Sequence, residues 1–454
     1  MIPRSLLLVF VVTACLLGAP FVASAGDDTL CGPFVMGAAA AAAAAPNTEP
    51  GISAGGAAGP GSIVPMPEAA AGAAGAADGP SEAILALPKD PVGNIPSDFE
   101  LGPGATIADS YFSPVICATV ARVAGPPGAP IDQLVTVVPE GSALVPNDVY
   151  ASASASVDPV DANDVPVLEP DPYASLQYGL AITGVRDARE ISTGEGVRIA
   201  LIDSAPETAH RDLSEARIRP FPDDAEVEVG AHGTLMAGVI NAIENNGFGI
   251  AGLAPGAELV SIPACRPTQG AGGRCTIYDL LQGLDEAWDA EAQIVNLALA
   301  GPPNILFERG VARLEELGAV VIAAAGNEGT RERRYPAAYP SVVGVGAVDR
   351  DGRLFEASNR GPWVELFAPG VDVISTMPGD RFSFGNGSSF AAAHVTGSLA
   401  VLTSVIGDSK VARGELFRAA GARSGSRQLP SVCEVLARID RPCEAGSDGA
   451  PAPR

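Results

Sequence analysis

Asp203, His232, Asn327 and Ser389 stand at the ends of short apolar runs or at the starts of small-residue stretches. Asp203 closes Val197-Arg198-Ile199-Ala200-Leu201-Ile202, and His232 opens the run from Gly233 to Ile240. Asn327 follows the apolar stretch that begins at Ala319, and Ser389 precedes Phe390-Ala391-Ala392-Ala393. An acid that orients an imidazole, an imidazole that deprotonates a hydroxyl and an amide donor for an oxyanion are the parts acyl transfer requires. Singly, each has a plainer reading, since an Asp at a strand end is most often a cap or a turn. Together they make a set only if the fold brings the strand ends to one place.

The elements that must do so are legible from about Asp171 onward. Val260-Ser261-Ile262, Ile294–Leu297, Ala319–Ala323 and Val342–Val345 read as buried strands, with helical stretches over 280–290 and 307–317 between them. Alternation at this spacing predicts an α/β domain with a mostly parallel sheet covered by helices. Function in such sheets gathers at the carboxyl ends of the strands.

Four blocks in this region resemble the subtilisin-like serine protease family, over roughly residues 171–440. Arg198–Ser204 with His210-Arg211-Asp212-Leu213 matches the aspartate block, and Ala231-His232-Gly233-Thr234 the histidine block. Ala323–Gly329 around Asn327 matches the oxyanion block, and Asn386-Gly387-Ser388-Ser389-Phe390-Ala391 the serine block. The order Asp, His, Ser is that of subtilisin. The resemblance implies a three-layer subtilisin-like fold and hydrolysis of polypeptide substrates through an acyl-enzyme. Ser389 is then the nucleophile, His232 the general base, Asp203 its orienting acid and Asn327 an oxyanion donor; no cofactor is required for that chemistry. His210 and His394 read as structural, and Ser388 as the neighbour of the nucleophile. The acid-acting Ser-Glu-Asp relatives fit less well, since they lack the histidine.

Several positions depart from the family pattern. Ala205 replaces a usual glycine, which requires a backbone that avoids φ > 0. The substrate-binding strand reads Ala298-Leu299-Ala300, where Ala300 adds a methyl to an edge that a peptide should pair with, and Ala392-Ala393 replaces a frequent Ser-Pro. These changes bear on substrate choice, and they are the feature that favours a proteolytically inactive, subtilase-like binding protein instead. Asp212 and the Glu244–Ile250 loop with Asn246 match a place where family members hold a structural Ca²⁺, a hard cation suited to carboxylate and amide oxygens. The same loop reads equally as an ordinary Asn-Gly turn.

The rest of the chain bounds the setting. Arg4, the apolar stretch Leu6–Leu17 and Ala23-Ser24-Ala25 predict a signal peptide over 1–25 and an exported protein. Val12-Thr13-Ala14-Cys15 resembles a lipoprotein box, but the apolar residues after Cys15 suit ordinary cleavage better. No later run reaches the length a membrane span needs. Six further cysteines suggest disulfides, with Cys265–Cys275 and Cys433–Cys443 as local staples. Residues 26–97 are an Ala/Gly/Pro-rich, low-complexity segment in which a packed core is not expected. Residues 98–170 read as a pro-region and linker, cut near the linker before Asp171 and serving as intramolecular chaperone or inhibitor; 441–454 is a tail. The net charge is −25, from 28 Lys+Arg and 53 Asp+Glu, which excludes a nucleic-acid partner held through its phosphates. Most of that charge, −15, lies in residues 26–170, outside the region that carries the chemistry.

Overall fold

The computed structural model describes residues 81–88, 99–139, 141–154, 156–159, 171–220, 227–268, 270, 272–422 and 427–443. The signal-peptide reading, Cys15, Cys31 and nearly all of the 441–454 tail lie outside the described residues.

Before the catalytic region run β1 (Ser81–Pro88), β2 (Thr106–Ser113), β3 (Ala118–Gly125) and β4 (Ala143–Pro146), then β5 (Val149–Ser152) and β6 (Ser156–Pro159). Next come β7 (Arg198–Asp203), β8 (Ile218–Pro220), α1 (Ala231–Asn241), β9 (Glu258–Pro263), β10 (Gly273–Thr276) and α2 (Ile277–Asp289). They are followed by β11 (Ile294–Leu297), β12 (Leu299–Ala300), α3 (Ile305–Glu316), β13 (Val320–Ala324), β14 (Val342–Val348) and β15 (Leu366–Pro369). The chain closes with β16 (Val373–Met377), β17 (Arg381–Asn386), α4 (Ser388–Ile406), α5 (Ser409–Ala422) and α6 (Val432–Arg438).

The main sheet has seven strands in the order β8-β9-β7-β11-β13-β14-β15, and every adjacent pair is parallel. A parallel sheet is covered on both faces, so its strands read as continuous apolar runs. Accordingly, every residue of Val320–Ala324 and Val342–Val348 is buried. Helices α1 and α4 pack on each other and on the sheet, while α2 and α3 pack on each other, α2 against β7 and β9 and α3 against β13. The result is the three-layer α/β arrangement expected. The strand order turns back at β7, which places Asp203 at a switch point, the usual site of function in such sheets. Helix α4, with 19 residues, is long and apolar enough to cross a bilayer, but it is a buried core helix here.

Helix α1 lies unusually close to β16. A Cβ on Gly238 would stand 2.2 Å from Thr376 Oγ1 and 2.5 Å from Ser375 Oγ, so only glycine admits this contact. Both hydroxyls use the closeness, donating to the carbonyls of Thr234 and Leu235. Both local staples are formed, at Cys265–Cys275 and Cys433–Cys443.

The segment before Asp171 differs from the sequence expectation. Ser81–Pro88 falls inside the low-complexity stretch, yet it is an inner strand of a four-stranded antiparallel sheet ordered β2-β3-β1-β4. Ala83, Leu85 and Leu87 join Ala121, Val123 and Leu134 in a separate small core. Sparse side-chain volume suffices because the neighbouring strands complete the burial. This sheet docks on α2, where Asp285 accepts hydrogen bonds from the Ser113 hydroxyl at 2.9 Å and the Val115 amide at 3.0 Å. Tyr111 packs edge-on against Tyr278, with ring centroids 5.5 Å apart. Burial pushes the Asp285 carboxyl up to about 7.

Removing the Asp285 acceptor strands two donors, at a cost of about 1–3 kcal/mol. In a Ser389→Ala background, Asp285→Ala is therefore expected to speed amide exchange in β1 and β3 by about 10-fold or more, with β13 unchanged. Exchange mass spectrometry reads this directly; equal rates in β1 and β3 would show that Asp285 does not hold the sheet.

Candidate active site

Strand β7 ends at Asp203, and α1 presents His232 one residue into its first turn. His232 Nδ1 lies 2.7 Å from Asp203 Oδ2 and 2.9 Å from Oδ1, and the two side chains are 0% and 2% exposed. Asp203 Oδ1 also accepts from the Ser204 amide at 2.7 Å. An acid with fixed donors beside an imidazole holds that ring in one orientation. Ala205 does not have positive φ, so the alanine that replaces the usual glycine is unstrained.

The first turn of α4 carries Ser388 and Ser389 behind Gly387, whose φ of 147° favours glycine. Asn327, just past β13, is fixed by its Oδ1, which accepts from the Ser388 amide at 2.9 Å. Its Nδ2 donates to the carbonyl oxygen of Ala153, and the Ser389 amide donates to the same oxygen at 3.2 Å. Two donors thus converge on one carbonyl at a helix N-terminus, where the peptide dipoles favour negative charge. The Ser389 hydroxyl stands 3.0 Å from Ser154 Oγ, while His232 Nε2 is buried without a hydrogen-bond partner. Catalytic hydrogen bonds are often loose before the reacting complex forms.

The residues expected to bind substrate, Ala298, Leu299 and Ala300, line the path of β5. The Ala153 amide donates to Ala298 O at 3.0 Å, and β12 pairs antiparallel with β5 through Leu299↔Ser152 and Ala300↔Ala151. The methyl of Ala300 therefore does not prevent edge pairing. Sequence reasoning missed the opposite wall, β10, which pairs with β5 through Arg274↔Ala151 and Thr276↔Val149. Nothing in Gly273–Thr276 marks it as part of the cleft, and the one hint that it is held in place is Cys275 within it, stapled to Cys265.

The other two histidines are structural. His210 Nδ1 accepts from the Asp212 amide and its Nε2 faces Arg381 O at 3.0 Å, which sets the tautomer. His394 Nδ1 donates to Phe390 O at 2.8 Å, and burial pulls its pKa down to about 4.

Asp212 is fully buried, and burial pushes its carboxyl up to about 7. Its Oδ2 accepts from the Ile250 amide at 2.8 Å, and its Oδ1 from Asn246 Nδ2 at 2.9 Å. Asn246 turns its oxygen away, to the Phe248 amide. A hard cation needs converging oxygens, and the groups converging on Asp212 are N–H donors, so this arrangement does not fit Ca²⁺.

The model of the subtilase family matches residues 194–421. The chain is 37% identical over 238 residues to a thermophilic serine proteinase of Bacillus sp. (strain AK1), covering 51% of this chain and 58% of that protein. It is also 37% identical over 213 residues to subtilisin BL of Lederbergia lenta, covering 46% of this chain and 77% of the other. The solved structure of the prenylagaramide maturation protease PagA shares the fold, with a TM-score of 0.50 at 22% identity over 57% of this chain and 99% of that one.

His394 is neutral when folded and takes up a proton at an ordinary pKa when unfolded. Folding thus loses stability through His394 as pH falls from about 6.5 to about 4. Relative to His394→Asn, both with Ser389→Ala, the parent is expected to lose up to about 3 kcal/mol more over that interval. Parallel denaturation curves across the interval would contradict this.

Proposed function

This chain belongs to the subtilase family of serine-type endopeptidases, and we propose that it is an exported one working through Asp203, His232, Ser389 and Asn327. Ser389 Oγ attacks the scissile carbonyl carbon and gives its proton to His232 Nε2. The tetrahedral oxyanion takes hydrogen bonds from Asn327 Nδ2 and the Ser389 amide. Collapse expels the leaving amine, which receives the proton from His232, and leaves an acyl-enzyme on Ser389. Water, deprotonated by the same imidazole, then releases the acid. Asp203 stabilises the imidazolium and is not itself protonated.

The observation that carries this reading is the convergence of two donors on one peptide carbonyl beside the Ser389 hydroxyl, with the buried Asp203–His232 pair at 2.7 Å. Export is supported by the predicted signal peptide and by the two disulfides, which persist in oxidising compartments. The acidic segment before Asp171 acts as a pro-region in this reading, its sheet docked on α2 and its Ala153 carbonyl at Asn327 and Ser389.

A fluorophosphonate probe should label the processed protein at Ser389 and leave Ser389→Ala unlabelled. Asn327→Ala should lower kcat on casein-derived peptides by about 10²–10³, the range known for removing such a donor from subtilisin, with little change in KM. Wild type that labels no better than Ser389→Ala and leaves casein intact would replace the protease reading with that of a binding protein.

A further inference from the structure

We propose that Arg266 and Arg274 determine specificity, and that the cleft favours peptides with a carboxylate side chain at the third residue before the scissile bond. The proposal rests on the protease reading above and adds a substrate class to it.

The register of the cleft sheet places the two guanidiniums. The short strand Arg266–Pro267 pairs with β10, β10 with β5 and β5 with β12, each pair antiparallel. One row crosses all four strands: Arg266 stands opposite Arg274, Arg274 opposite Ala151, and Ala151 opposite Ala300. Residues directly opposed in antiparallel strands share a face, with Cβ atoms about 4.5–5.5 Å apart. This row faces solvent, for Arg266, Arg274 and Ala151 are exposed and Ala300 is half-buried. The neighbouring row, with Cys275 opposite Tyr150, points inward and is fully buried, as the two-residue period of a strand requires.

Like charges directly opposed across two strands are destabilising. The hairpin holds them together because Cys265 and Cys275, the chain neighbours of the two arginines, are joined by a disulfide. The chain has 53 acidic residues against 28 basic ones, and Arg198, Arg211, Arg219 and Arg334 each have a carboxylate partner. Arg266 and Arg274 have none among the described residues. Two adjacent guanidiniums, stapled in place and not neutralised by the protein, make the rim of the groove complementary to an anionic group lying where β5 lies.

The oxyanion donors say which residue of a substrate that group belongs to. The Ala153 carbonyl accepts from Asn327 Nδ2 and the Ser389 amide, so a peptide lying as β5 lies puts its third residue before the bond in the place of Ala151. Arg274 flanks that place on one side and the Ala300 methyl on the other. A glutamate there lays its methylenes toward Ala300 and its carboxylate toward the Arg274 fork, with Arg266 behind it; guanidinium and carboxylate match in shape as well as charge. Ala300, where glycine is usual, thus gives the stem an apolar neighbour. The segment in the groove carries alanine at this position and leaves both guanidiniums unused, so an acidic substrate has a contact that this segment lacks.

Peptides with the sequence of residues 149–156, carrying Glu, Gln or Lys in place of Ala151, are given to the processed enzyme at about 0.01 M and about 1 M ionic strength. At low salt the Glu peptide should be cut about 3- to 10-fold faster than the Gln peptide in kcat/KM, with the Lys peptide slowest, and high salt should erase the differences. Arg274→Glu should reverse the order and put the Lys peptide ahead. A variant merely slower on all three, with Glu still ahead, would show the hairpin to be structural and overturn the proposal. So would a preference for Glu that survives Arg266→Gln combined with Arg274→Gln. A probe-labelled, casein-cleaving enzyme that cuts the three peptides equally, or cuts none of them, also overturns it and leaves the protease reading standing. A chain that is neither labelled nor active on casein removes both.

Discussion

A carboxylate 2% exposed and a fully buried imidazole stand 2.7 Å apart, and much of the structure exists to make that contact tolerable. A buried carboxylate without close donors would cost several kcal/mol. Here it receives the Ser204 amide and hydroxyl as well as His232. The contact also demands that the start of α1 approach the end of β7 more closely than side chains allow. A Cβ on Gly233 would lie 1.8 Å from Ser204 O, and one on Gly230 would lie 2.1 Å from Ser204 Oγ. The glycine after His232 is thus a steric requirement of the acid–imidazole pair, and the Gly233 amide in turn donates to Ser204 Oγ.

That dependence explains what could be read from the sequence. The runs around Asp203, Asn327 and Ser389 are short, apolar or small, and bounded by the polar groups themselves, because a parallel strand buried on both faces leaves polar residues only at its ends. Helix α2 was expected from Leu280 and begins at Ile277, since the Thr276 hydroxyl accepts from the Asp279 amide and caps it. What the sequence hid lies before Asp171. Within the 98–170 stretch read as pro-region and linker, nothing singles out Val149-Tyr150-Ala151-Ser152 as a strand. It is a strand because two edges of the catalytic region pair with it, a tertiary effect that no local pattern encodes. Asn246 was misleading for a related reason: residue type offers an amide oxygen, but the loop turns that oxygen to Phe248 and presents nitrogen to Asp212.

The acidic bias before Asp171 also gains a local meaning at two residues. Asp148 sits where two helices begin: its carbonyl accepts from the Ile277 amide at the start of α2, and its carboxylate accepts from Asn304, the cap of α3. Asn147 Oδ1 takes the Tyr278 amide beside it. Helix N-termini carry unpaired amides and partial positive charge, so an acidic segment is a natural partner for them. A second acidic residue of the segment, Glu82, accepts from Asn147 Nδ2 at 2.7 Å and stands 4.0 Å from Arg122, so it braces the same corner.

The cleft itself follows from sheet physics. Strands β10 and β12 each present an edge to the groove between them, and an unpaired edge is a template for any extended chain. Pairing on both edges binds backbone regardless of sequence, which is why Ala300 can stand where glycine is usual without closing the groove. Selectivity must then come from the side chains that alternate out of the paired strand. Tyr150 is buried and Ala151 exposed along β5, so the groove encloses the first side chain and leaves the second in solvent. The contact of Gly301 with the Tyr150 ring and the backbone ladder act on the same segment, and together they hold it in the register that brings the Ala153 carbonyl to Asn327 and Ser389.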